Sequence, residues 1–108
     1  MWIFTTKGFI SIVQDRDNPD GFMVRARKKQ HLHDIFSTAT IYSVAGSDYK
    51  WRARISKQDV ASIMSQEITD IDYPNFKSAI PDHDYHEACS EAWSVMFNYQ
   101  RGQNEKIL

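Results

Sequence analysis

Two stretches of the chain alternate apolar and polar residues with a period of two. In the first, Phe22, Val24 and Ala26 fall on one side of an extended backbone and Met23, Arg25 and Arg27 on the other. In the second, Tyr49, Trp51, Ala53 and Ile55 oppose Lys50, Arg52 and Arg54. Each reads as a half-buried strand. Residues 9–13 and 40–44 are short β-branched apolar runs, followed by the turn-rich segments 14–21 and Ala45-Gly46-Ser47-Asp48. They supply the first strand of each hairpin.

Helical spacing takes over between these pairs. Leu32, Ile35 and Phe36 predict a short helix after Lys28-Lys29-Gln30. Ser56 is placed to accept hydrogen bonds from first-turn amides, with Asp59 three residues on, so a second helix starts there. Its apolar stripe is Val60, Ile63, Met64 and Ile68, and it ends near Asp70, before Tyr73-Pro74. A helical turn fits residues 75–80. Pro81-Asp82-His83-Asp84 opens the longest helix, with Tyr85, Cys89, Ala92, Trp93, Met96 and Tyr99 or Gln100 along one face. A frayed tail is expected from about residue 102.

Strand, loop, strand, helix therefore occurs twice, and the copies align at an offset of 27 through Val24-Arg25-Ala26-Arg27 and Trp51-Arg52-Ala53-Arg54. The pattern predicts an α+β fold: repeated ββα units forming a four-stranded antiparallel sheet, helices on one face, and an additional C-terminal helix. Residues 1–4 would add a fifth, edge strand. With 108 residues, 42% of them hydrophobic, one domain over 1–108 is expected.

Charge sharpens this picture. Residues 1–54 carry nine Lys/Arg against five Asp/Glu, net +4, while residues 55–108 carry four against nine, net −5. If helices cover the face lined by Phe22, Val24, Ala26, Tyr49, Trp51 and Ala53, pleating puts Arg25, Arg27, Lys50, Arg52 and Arg54 on the other. Guanidinium forks suit phosphates and carboxylates. No aromatic has the arginine parity within these two strands, so phosphate contact is expected rather than base reading. The competing expectation is an ordinary solvated face, its arginines paired with Asp15, Asp17 or Asp48.

Asp82, His83, Asp84, His86 and Glu87 form a polar cluster at the start of the last helix. His83 with Glu87, and His86 with Cys89, have helical ligand spacing. They make His83, His86 and Glu87 weak metal candidates; capping by Asp82 or Asp84, with Glu87 completing a box, explains the same residues, and no metal or other cofactor is expected. Neither GxSxG nor a glycine-rich phosphate loop occurs, and Cys89 falls on an apolar stripe, which weighs against an enzyme. Cys89 is the sole cysteine, which fits a reducing, cytoplasmic location. The stretch 2–13 has neither a basic leader nor spanning length, so no secretion signal or membrane anchor is expected.

Through Trp2-Ile3-Phe4, Gly8-Phe9-Ile10-Ser11-Ile12-Val13-Gln14, Val24-Arg25-Ala26-Arg27 and Ile71-Asp72-Tyr73-Pro74-Asn75-Phe76-Lys77, the chain resembles a group of short uncharacterised bacterial and mobile-element proteins. That resemblance implies a compact standalone domain and assigns no functional residue. The residues themselves predict a non-catalytic binding module whose basic sheet face meets an anionic partner, nucleic acid or an acidic protein surface. The alternatives are a small regulatory or inhibitor protein that docks Asp82, Asp84, Glu87 and Glu91 on a basic protein, and a metal-assisted enzyme.

Overall fold

The two arginine motifs lie side by side at the centre of a five-stranded antiparallel sheet. The computed structural model describes residues 1–107, with side chains described through Gly102. Its strands are β1 (Trp2–Thr5), β2 (Gly8–Gln14), β3 (Gly21–Ala26), β4 (Tyr42–Ser43) and β5 (Trp51–Ser56), in the order β1-β2-β3-β5-β4. Helices α1 (Lys29–Ile35), α2 (Lys57–Thr69) and α3 (His83–Ile107), with a 3-10 turn at Lys77–Ala79, complete the α+β architecture. The chain gathers into two compact units, Met1–Asp72 and Tyr73–Leu108.

In the first unit, alternation puts Ile10, Ile12, Val24, Ala26 and Ala53 on one face of the sheet. Leu32, Ile35 and Phe36, in and just after α1, and Val60 of α2 bury against that face, with Phe22, Trp51, Ile55, Ile63 and Met64 half-buried around them. Burying a side chain such as Leu32 contributes about 2 kcal/mol each. The stripe on α2 runs out before its last member, since Ile68 is 69% exposed. Ser56 caps α2 by accepting from the Asp59 amide at 3.1 Å, and Asp70 closes the helix.

Two glycines shape this unit. Gly8 starts β2 where a β-carbon would lie 2.3 Å from Cγ of His31, whose Nδ1 accepts from the Phe9 amide. Gly46 has φ +75° in the turn closed by Ser47 N–H to Val44 O, a conformation that favours glycine. The strand expected over 40–44 shrinks to the two residues of β4. It lies on the outer edge, pairs only Tyr42 with Arg52 and Ser43 with Trp51, and gives way at once to that turn.

In the second unit Asp82, not Asp84, caps α3: its Oδ2 accepts from the Tyr85 amide at 2.8 Å. Glu87 lies two residues beyond that amide and five beyond the cap, where a capping box needs three, and it makes no box. Tyr85 and Cys89 are buried, as their apolar register predicts, while Trp93, Val95, Met96, Phe97 and Tyr99 are exposed. The helix is interrupted at Gly102, with φ +68°. The side chains of the tail expected beyond that point lie outside the described residues.

Candidate nucleic-acid interface

Because β3 and β5 run antiparallel, the two Arg-Ala-Arg motifs meet head to tail. Arg25 is opposite Arg52, while Arg27 lies beyond the end of β3 at one end and Arg54, opposite Met23, stands at the other. The arginines form a stripe about 13 Å long, four residues at roughly 3.3 Å each. It occupies the face that α1 and α2 leave uncovered.

A like-charged pair directly across a ladder is destabilising unless something offsets it. Here the offset comes from neutral groups. Arg25 Nη2 donates to Ser11 Oγ at 2.8 Å, and its guanidinium lies 4.5 Å from the Tyr49 ring centroid. Arg27 stacks on the same ring at 4.5 Å and reaches the Asp48 carbonyl at 3.4 Å. Arg52 donates Nε–H to the Tyr49 carbonyl and Nη2–H to Ser47 Oγ. No carboxylate pairs with Arg25, Arg27 or Arg52 among the described residues. Arg25 Nε is buried there without a hydrogen-bond partner.

Arg54 behaves differently. Its Nη2 lies 3.1 Å from Asp17 and its Nη1 3.8 Å from the buried Asp15. Hydrogen bonding to Tyr42 and then Asp17, with the charge of Asp15, holds it still more firmly in its charged form. The solvated-face expectation thus describes Arg54, and Asp48 offers Arg27 only its backbone oxygen. Lys50 is not part of the stripe: its Nζ sits 5.2 Å from the ring of Trp51, a residue of the opposite face.

The expectation that Tyr49 belongs to the helix-covered face is overturned. Tyr49 is buried between Arg25 and Arg27, and not in the main core. Strand β5 begins only at Trp51, so the alternation extrapolated back to Tyr49 crosses a bend where side-chain parity no longer holds. The arginine face is not free of aromatics elsewhere either. The ladders Trp2↔Ser11, Phe4↔Phe9 and Tyr42↔Arg52 put Trp2, Phe4, Phe9 and Tyr42 on it. Trp2 is 71% exposed and Phe4 42%. Their signal was present as period two in β1 and β2, but reading it required the strand order.

On α3, Asp84, Glu87 and Glu91 are exposed and Asp82 is engaged as the cap. His86 Nδ1 is 3.8 Å from Glu87 Oε1. Among the described residues no three His, Cys, Asp or Glu side chains gather to hold a metal. Burial, then the bond to Cys89, pushes the Tyr85 hydroxyl far above its ordinary range, and burial likewise raises the Cys89 thiol, which favours its protonated form. No described helix is long and apolar enough to cross a membrane.

Comparison with protein-family models, curated proteins and solved structures finds no match.

Proposed function

We propose that this protein is a non-catalytic binding module whose open sheet face contacts nucleic-acid phosphates. The observation that carries this reading is the opposed pair Arg25 and Arg52, flanked by Arg27 and without a carboxylate partner among the described residues. Such a pair gains from an anion what it lacks from the protein, and the Tyr49 stack and the Ser11 and Ser47 bonds hold its guanidiniums ready. Arg54 contributes less, because Asp15 and Asp17 already occupy it.

Anisotropy titrations of labelled oligonucleotides at several salt concentrations test this. Replacing Arg25, Arg27 and Arg52 together by Ala should lower the slope of log K against log salt by about two to three units, since each phosphate contact is worth roughly 0.7 to 0.9. Arg54→Ala should leave the slope nearly unchanged, and the triple Lys variant should keep most of it. Absence of binding by the folded wild type at low salt would sink the proposal.

A second reading rests on α3, where exposed Trp93, Met96 and Phe97 accompany Glu87 and Glu91. Large exposed apolar groups and a separate acidic pair on one helix suit a basic protein partner, as in a small regulator or inhibitor. A stoichiometric protein captured from lysate by wild type, and lost on Glu87→Lys and Glu91→Lys, would favour this reading over the first.

A further inference from the structure

We infer that the sheet face takes single-stranded nucleic acid, DNA or RNA, with unpaired bases stacked on Trp2 and Phe4 and the adjoining phosphates on Arg27, Arg25 and Arg52; this rests on the phosphate-binding reading above. Pairing places the groups in two rows across the strands. One runs Trp2, Ser11, Arg25, Arg52, and the next runs Phe4 and Phe9, with the Arg27 guanidinium 6.0 Å from the Phe9 ring centroid. Each row therefore begins in an aromatic at the β1 edge and reaches guanidinium at the centre. Two strand spacings of about 4.8 Å separate Trp2 from Arg25. That is a base-to-backbone reach rather than a base-to-base one.

The aromatic half is built as a platform. Phe9 packs against Phe4 at 4.5 Å and edge-on against Trp2 at 6.2 Å, so a half-buried ring props two exposed ones. Trp2 at 71% and Phe4 at 42% exposure leave flat apolar surface in water beside positive charge. Both occur where a polyanion would be drawn by Arg27. The faces of paired bases are hidden inside a duplex, so only an unpaired strand can use both halves of the row. Every base has a π-face, so the recognition is tolerant of sequence.

Ser11 shows how tightly the rows are built. It is a serine at 1% exposure on the open face, covered through its hydrogen bond to Arg25, and it separates Trp2 from that guanidinium without competing for anions. Tyr49, at 3% exposure, is not itself a platform. With both guanidiniums 4.5 Å from its ring centroid, it holds Arg25 and Arg27 in place.

The test compares oligo(dT) and oligo(U) of about ten nucleotides, within the span that such faces cover, with a duplex of the same length. Wild type should bind at least one unpaired strand at least about tenfold more tightly than the duplex. Trp2→Ala with Phe4→Ala should weaken unpaired binding by about tenfold or more and leave duplex binding and the salt slope unchanged. Trp2→Phe should retain most of the affinity, which separates loss of stacking from loss of folding. Equal affinity for duplex and unpaired strands, or no effect of the double Ala variant, would overturn the base-stacking inference while leaving phosphate binding intact. No binding of either ligand at low salt would remove both.

Discussion

At Gly8 the backbone passes so close to the His31 ring that a β-carbon would stand 2.3 Å from Cγ. Gly8→Ala must push α1 or β2 aside, and we expect a loss of about 2 kcal/mol in urea unfolding, the scale of an overpacked site. Tyr49 is the other residue whose role outruns its size. Tyr49→Ala removes the ring between Arg25 and Arg27 and frees both side chains to move, so oligonucleotide affinity should fall although Tyr49 itself stays out of reach of a ligand. Tyr49→Phe keeps the stack and should keep the affinity, a comparison that titration of the two variants decides. Neither role was visible in the one-dimensional pattern. The parity of Tyr49 was lost at a bend, and the need for Gly8 comes from a residue 23 positions away.

At the scale of elements, capping and periodicity carried most of the information. Ser56 is the cap that its spacing to Asp59 announced, and Ser56→Ala should cost about 1 kcal/mol by denaturant titration. Asp82→Ala should cost α3 a similar amount, whereas Asp84→Ala, with no capping bond, should cost much less. The α+β class, the hairpin strands and the face of β3 and β5 that carries the arginines were legible because alternation within a paired strand is rigid. The antiparallel pairing of the two arginine motifs was not. Side-by-side placement of Arg25 and Arg52 depends on β3 meeting β5 across the centre of the sheet, and that depends on how the hairpins close, which local residues do not encode. The same missing information hid the placement of Trp2 and Phe4 on the arginine face.

At the scale of the whole molecule, the two raised groups on α3 make stability depend on alkaline pH. The folded chain keeps protons on Cys89 and Tyr85 that an unfolded chain would release near 9.0 and 10.0. Their effect on stability is therefore nil below about pH 9 and becomes a gradual loss as pH rises above it. Denaturant midpoints measured between neutral pH and pH 10.5, the upper limit being about half a unit past the tyrosine value, should fall with pH. Cys89→Ala should delay the onset of that fall. A midpoint that is flat across the range would contradict the burial of both groups.

Cys89 also gives the molecule a built-in clock. A lone thiol, buried and held protonated, reacts with an aromatic disulfide reagent only when its surroundings open, so the labelling rate in native buffer counts openings of α3. Set against the rate of global unfolding, it reveals whether residues 73–108 open alone or only when the sheet does. A labelling rate well above global unfolding would mean that the arginine face can stay folded while α3 comes and goes.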